Sequence, residues 1–366
     1  MTAPFTFYEF FAGGGMARLG LGEGWTCAFA NDFDPLKART YQANFPAGDF
    51  HQGDVWKLSP ADLPGQADLA WASSPCQDFS LAGGRAGLAG GRSSAFFGFW
   101  RLIEALGEQA RAPRLVVIEN VGGLLTSHGG ADFAALSEAL AKAGYSFGAL
   151  EIDAAAFLPQ SRPRVFVVAA KTPRPGLRGD SPFHTKAVRA AAAALPAHLA
   201  AHWVWWGLAG PPARNTDLAS VLEPDELVAW HDPVRTEHLL SLMAPLHRAR
   251  LESRGGRTVG TVFRRTRDVQ RAEVRIDGLA GCLRTPRGGS SRQAIVVVED
   301  GRVRSRLLSG REAARLMGLP DTYILPPRAN AALHVAGDGV AVPVVRWLAR
   351  GLLEPLLAAP SILAAE

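Results

Sequence analysis

Three cysteines stand far apart in this chain, Cys27, Cys76 and Cys282, with no C-x-x-C pair among them. That spacing suits neither a zinc site nor a disulfide framework. A single thiol can still act as a nucleophile once ionised, although a small buried hydrophobe is the commoner use of cysteine. Cys76 is set apart by its neighbours. The segment Ser73-Ser74-Pro75-Cys76-Gln77-Asp78-Phe79-Ser80 follows a short apolar run, Asp68–Ala72. A carboxylate ends a second apolar run, in Glu119-Asn120-Val121, and two arginines follow in Gln160-Ser161-Arg162-Pro163-Arg164. A thiol, a carboxylate able to hold or give a proton, and cations able to stabilise an anion are the parts of covalent group transfer. The same arginines would serve equally well on phosphates or in surface ion pairs.

A second set of residues suits a nucleoside. Phe11-Ala12-Gly13-Gly14-Gly15 lies between a strand and a helix. Glycines there allow a tight turn and a close approach of a ligand to the main chain, beside the N–H groups of the helix start. Asn31-Asp32-Phe33-Asp34 ends the next strand, about twenty residues on, where a carboxylate can accept both ribose hydroxyls. Phe33 is placed to stack on a base. Asp54, in Gln52-Gly53-Asp54-Val55, follows where a third strand should end and could accept from an adenine amino group. Each acid alone reads as a cap or turn residue; the three features in this order point to a cofactor containing adenosine.

These residues need a scaffold, and the first half of the chain supplies one. Apolar runs at Phe5–Phe10, Cys27–Asn31, Asp68–Ala72, Leu115–Glu119 and Val165–Ala170 read as strands, and Met16–Gly20, Pro35–Asn44 and Phe133–Ala143 as helices. Strands alternating with helices imply an α/β domain with a mostly parallel, doubly wound sheet. The pattern breaks into Pro, Gly and Arg near Pro173–Pro182. We expect one domain over residues 1–174, a second, smaller one over 175–304, and a return to the first over 305–366. In the return, Ser309–Met317 carries a Ser cap with Glu312 three residues on, and Val340–Leu353 is a final helix.

Of the 366 residues 48% are hydrophobic and 20% charged, which excludes a disordered or fibrous chain. No apolar run is long enough to span a bilayer, and Met1-Thr2-Ala3-Pro4 lacks the features of a signal peptide, so a cytoplasmic protein without membrane contact is expected. The net charge of +5 is unevenly placed: Arg248 to Arg292 holds twelve arginines, no lysine and four carboxylates, a local charge of +8. A basic segment beside a slightly acidic remainder suits a polyanionic partner, and equally a solvated surface with ordinary ion pairs. The Trp-rich segment His202–Trp206 reads as core rather than as a stacking platform.

Taken together, Pro75-Cys76-Gln77, Glu119-Asn120-Val121 and Gln160-Ser161-Arg162-Pro163-Arg164 resemble the DNA (cytosine-5) methyltransferase family of bacterial and phage type. The glycine turn, Asp32, Asp54, Arg284–Arg292 and Gly337-Asp338-Gly339-Val340 fall in the family's order, and only about 172–275 lacks motifs. The resemblance implies a Rossmann-like methyltransferase domain that depends on S-adenosylmethionine and leaves S-adenosylhomocysteine, with a smaller target-recognition domain. It implies double-stranded DNA as partner, no metal, and a monomer, as in restriction-modification enzymes.

The resemblance also assigns roles. The Cys76 thiolate would add to C6 of a flipped-out cytosine, giving C5 the enamine character it needs to take a methyl group. Glu119 would contact N3 and the exocyclic amine, acting as a general acid whose protonated form burial favours. Arg164 would contact the base O2, and Arg162 with Arg164 would stabilise the thiolate. Phe11, Ala12, Gly13, Gly15, Asp32, Phe33, Asp54, Pro75 and Asp338 would hold the cofactor. Ser80, Arg85, Arg92, Gln160, Arg264, Arg265, Arg267, Arg284, Arg287 and Arg292 would face DNA, with the glycine-rich stretch Ser80–Ser94 as a loop closing on it. The chain departs from the family at Met16, a usual glycine; at Ser73-Ser74, usually Gly-x; and at Asp338, usually an Asn able to donate a hydrogen bond. An RNA cytosine-5 methyltransferase, sharing these motifs, and a non-catalytic cofactor- or DNA-binding module remain open; the intact Cys76, Glu119, Arg162 and Arg164 argue against the second.

Overall fold

A computed structural model describes residues 4–46, 48–74, 95–266, 270–285 and 292–358. The chain divides into two units: residues 1–152, 163–212 and 344–366 in the first, and 153–162 and 213–343 in the second.

The first unit is built on a mixed sheet of seven strands. They are β1 (Phe5–Phe10), β2 (Trp25–Asp32), β3 (Phe50–Gln52), β4 (Leu69–Ala72), β5 (Leu115–Asn120), β6 (Ser146–Asp153) and β7 (Pro163–Ala170), in the spatial order β3-β2-β1-β4-β5-β7-β6. The first five run parallel, and β7 pairs antiparallel with β5. Every residue of β4 and β5 is buried, which explains their continuous apolar runs: helices cover both faces. The helices expected from the sequence form as α1 (Met16–Leu21), α2 (Pro35–Asn44) and α4 (Ala131–Lys142); α3 (Ala95–Glu108) was not anticipated. It inserts Phe96, Phe99, Leu102, Ile103 and Leu106 into the core, with the Phe99 ring 4.9 Å from that of Phe10.

The first boundary falls later than expected. Residues 175–212 stay with the first unit because the Trp-rich segment runs beside β6. The Phe147 N–H donates to the His202 carbonyl at 2.9 Å, and the Val204 N–H donates back to Phe147 at 2.7 Å. The fully buried Trp206 gives its Nε1–H to the Val168 carbonyl at 3.0 Å. A Cβ on Gly148 would lie 1.9 Å from the Val204 carbonyl oxygen, so only glycine permits this approach.

The second unit carries an antiparallel sheet of four strands, β8 (Thr258–Thr266), β9 (Gln270–Arg275), β10 (Ala294–Glu299) and β11 (Arg302–Leu307), ordered β11-β10-β8-β9. The β10–β11 turn is Asp300-Gly301, both residues at positive φ, the conformation that a two-residue hairpin requires. Leu239, Leu240, Met243 and Leu251, from the helices Pro233–Ser241 and Pro245–Glu252, pack on Val262, Ala272, Val296 and Val298. Ser309 and Glu312 form the capping box read from the sequence, and Glu312 also pairs with the buried Arg306 at 2.6 Å. The helices Gly310–Arg315 and Ala329–Asp338 pack on each other within this unit, so the chain returns to the first unit at residue 344, not 305. Among the described residues no helix is long and apolar enough to cross a membrane.

Candidate active site

The carboxyl ends of the parallel strands gather the first group of residues. The carbonyl of Asn31 accepts the Ala12 N–H at 2.9 Å, which turns the chain out of β1. The turn holds Phe11 at φ +56, a left-handed conformation rare outside glycine, with Gly13 at +58 and Gly15 at +79. A Cβ on Gly15 would meet the Phe45 ring at 2.4 Å, whereas nothing lies within 4 Å of one on Gly13. Open space beside a left-handed glycine is what a ligand approaching the main chain needs.

Asp32 closes this turn. One oxygen accepts the Gly13 N–H and the other the Asp34 N–H, both at 2.9 Å. Burial pushes its carboxyl above the usual range, opposed by Lys37 and by these two N–H groups. Phe33, beside it, is 72% exposed, an unusual position for a large aromatic ring. Asp34 caps α2 through the Leu36 and Lys37 N–H groups. Asp54 is exposed and accepts the Trp56 N–H at 3.0 Å. Its loop is held by Asn31, whose Nδ2 donates to the His51 and Gly53 carbonyls, both at 2.9 Å. Sequence reasoning quoted Asn31 without giving it this part. Nor did it mark Glu9, whose buried carboxylate accepts the Arg18 N–H in the first turn of α1 at 3.3 Å and the Tyr41 hydroxyl at 3.2 Å.

The end of β5 gathers the second group. Antiparallel pairing sets Asn120 opposite Val165 and Glu119 opposite Phe166, so β7 begins where β5 ends. That register brings Arg164 to Glu119, Nε to Oε1 at 3.2 Å, with both side chains largely buried. Asn120 does work that its motif did not reveal. Its Nδ2 donates to the Ser74 carbonyl at 3.1 Å, and its Oδ1 accepts the Val121 N–H at 2.9 Å. Trp71 donates to the Ser73 hydroxyl at 3.0 Å. The chain leading into Pro75-Cys76 is thus tied to the strand that carries Glu119. Pro75, Cys76, Ser80, Arg85, Arg92, Arg267 and Arg287, and the side chain of Arg265, lie outside the described residues.

The rest of the Gln-x-Arg motif belongs to the second unit and behaves differently from expectation. Gln160 is fully buried. Its Nε2 donates to the Leu316 carbonyl at 2.6 Å and its Oε1 accepts the Leu283 N–H at 3.1 Å. An amide spent on main chain in this way does not face DNA, and that assignment is corrected. Arg162 is 2% exposed; its guanidinium donates to the carbonyls of Leu283, Gly337 and Gly339 at 3.0, 2.8 and 2.6 Å. The partner expected for a thiolate is here a tie between the 282–283 and 337–339 segments. Asp338 is exposed, accepts from the Thr285 hydroxyl and lies 3.2 Å from His334 Nε2. Arg292 is half-buried and donates to the Leu308 carbonyl at 2.9 Å; Arg264 is half-buried on β8, and Arg284 is exposed. No group of three His, Cys, Asp or Glu side chains placed to hold a metal ion occurs among the described residues.

The chain is similar over most of its length to known methyltransferases. Type II methyltransferase M.BsuFI of Bacillus subtilis is 29% identical over 360 residues, 97% of this chain and 74% of that protein. Type II methyltransferase M.HaeII of Haemophilus aegyptius is 29% identical over 359 residues, 95% of this chain and 92% of that protein. In fold the chain is similar to the Dnmt2 methyltransferase of S. pombe, with a TM-score of 0.63 at 17% identity, covering 96% of this chain and 99% of that one. The profile of the C-5 cytosine-specific DNA methylases matches residues 5–354, the sheet and both groups of site residues included, and the chain belongs to that family.

Proposed function

We propose that this DNA cytosine-5 methyltransferase acts on duplex DNA by covalent addition of Cys76 to C6 of the target base. The observation that carries the reading is the cluster at the end of β5. Glu119 is held by Arg164 at 3.2 Å, and the next residue, Asn120, holds Ser74, two residues before Cys76. In this reading the thiolate attacks C6 while Glu119 gives a proton to N3, so that no full negative charge builds on the ring. C5 gains enamine character and takes the methyl group; loss of the C5 proton then expels the thiolate, and N3 returns its proton to Glu119. Arg164 orients Glu119 and would contact the base O2. Arg162 and Gln160 are positioning residues of the second unit.

The residues around the glycine turn fit S-adenosylmethionine, which when bound supplies an electrophilic methyl group. Gly13 leaves open space, Asp32 is oriented at the turn by two N–H groups, and Phe33 presents an exposed ring. Asp32 would accept from the ribose, Phe33 would stack on the adenine and Asp54 would receive its amino group.

Incubation with tritiated S-adenosylmethionine and either duplex DNA or tRNA tests the substrate. Label in DNA alone is expected; label in tRNA alone would overturn the assignment. A duplex with 5-fluorocytosine at the methylated position tests the mechanism, because fluorine cannot leave as a cation and elimination stalls. The adduct is expected on a peptide containing Cys76. No adduct on a duplex that is methylated when unmodified would rule out C6 addition.

A further inference from the structure

Within the second unit the helix Pro245–Glu252 and the end of β9 enclose a cavity of about 280 Å³. His247, Arg250 and Arg254 line it from the helix and its exit, and Val274, Arg275, Ile276 and Asp277 from β9 and the turn beyond. None of these residues is among the site residues named above, although Arg250, Arg254 and Arg275 belong to the basic segment 248–292. The charges do not cancel. Arg275 is spent on Asp277, with NH2 2.6 Å from Oδ2, and Arg248, on the same helix, is spent on Glu237 and Glu252 at 2.6 and 2.7 Å. Arg250 and Arg254 are exposed and have no carboxylate within ion-pair distance among the described residues. Two like charges four residues apart repel each other; the helix C-terminus relieves this in part and an anion would relieve it further. In the cavity wall, His247 Nδ1 is buried without a hydrogen-bond partner. Two guanidinium groups without a carboxylate partner among the described residues therefore line one concave site, with the His247 side chain in its wall.

We propose that this cavity seats a phosphodiester group of the DNA backbone, gripped by Arg250 and Arg254 with His247 beneath. The proposal rests on the reading of the chain as an enzyme of duplex DNA. Shape selects the phosphate over a base edge: a phosphate protrudes from the duplex into a concave site, whereas base edges are recessed in the grooves. The site would contribute affinity and register, without reading sequence.

The test compares wild type, the double variant R250A/R254A and its charge-keeping counterpart R250K/R254K. Affinity is measured for a duplex that the enzyme methylates and for one that it does not, at two salt concentrations. Between about 50 and 200 mM salt the wild type is expected to lose about three- to fourfold more affinity than R250A/R254A, since one phosphate contact adds about −0.9 to the salt slope. The loss at low salt should be the same on both duplexes, and R250K/R254K should recover most of it. Both substituted residues are exposed, so thermal melting should be unchanged. An unaltered salt slope in R250A/R254A, or a loss confined to the methylated duplex, overturns the proposal while leaving the proposed function standing. A wild type without salt-dependent duplex binding overturns both.

Discussion

At the scale of single residues, the same motif supplies two arginines with opposite expected behaviour. Arg164 lies on β7 beside Glu119, whereas Arg162 is buried among carbonyls of the second unit. Arg162→Ala would strand up to three buried acceptors, each at a cost of about 1–3 kcal/mol, so thermal melting should fall markedly. Arg164→Ala removes the ion pair to Glu119 within the sheet; melting should fall less than in Arg162→Ala, while methyl transfer falls steeply. Melting curves and single-turnover rates for the two variants check this, and equal loss of stability would reject the division. Cys76→Ser should abolish turnover with folding and cofactor binding retained, because a hydroxyl ionises far less readily than a thiol. Turnover within about tenfold of wild type would exclude Cys76 as nucleophile. Glu119→Gln should still bind DNA but slow single-turnover transfer by about 10²- to 10⁴-fold; an unchanged rate would remove Glu119 from proton transfer. The contrast between the arginines was not legible in the sequence. Both residues read as basic members of one motif, and burial decides which one is consumed by the fold.

At the scale of elements, the strands that carry the site could be read directly, because β5 and β7 are short apolar runs buried on both faces. The glycine turn and the acid after β2 were legible for a similar reason, since both depend on local backbone chemistry. The elements missed were those whose pattern depends on distant partners. β6, β8 and β9 have no simple sequence signature, whereas the run 294–298 before Asp300-Gly301 was a legible hairpin that went unread; the allegiance of the helix Gly310–Arg315 is decided by a helix nineteen residues further on. Glu9, at the junction of β1 and α1, belongs here too. Burial pushes its carboxyl up to about 8, against the pull of the Arg18 N–H and guanidinium and the Tyr41 hydroxyl; Asp49, close by, pushes it further up. The folded chain therefore holds a proton that the unfolded chain has released between about 4.5 and 8. Stability from this group is present below the lower value and is lost as pH rises through the window. Glu9→Gln keeps an acceptor for the Arg18 N–H and removes the titration. The variant should gain thermal stability relative to wild type as pH rises from 5 to about 8, and melts across that range check it. A constant difference between the two proteins would mean that Glu9 does not titrate there.

At the scale of the whole molecule, charge divides the labour. The +8 between Arg248 and Arg292 lies in the second unit, while Gly13, Asp32 and Phe33, proposed to hold the cofactor, lie in the first. Not all of that charge is available: Arg248 and Arg275 are paired with carboxylates, and Arg292 turns inward to the Leu308 carbonyl. Arg257 and Arg271 are exposed, and Arg264 is half-buried on β8. DNA binding should be strongly salt-dependent, because arginines on phosphates release counterions, whereas cofactor binding should depend on salt only weakly. Single Ala substitutions at Arg257, Arg264, Arg265, Arg267 and Arg271 should then sort into two groups. Those on phosphates should weaken every duplex alike and lower the salt slope by about one; those reading guanine should cost about 1–3 kcal/mol on the methylated sequence alone. Arg248→Ala serves as the control, since its guanidinium is already engaged, and should change DNA affinity least. None of the six should alter affinity for S-adenosylmethionine. Measuring both affinities at two salt concentrations separates the outcomes. Five arginine variants indistinguishable from the control would make this segment a solvated surface, and target recognition would have to be sought elsewhere between residues 213 and 343.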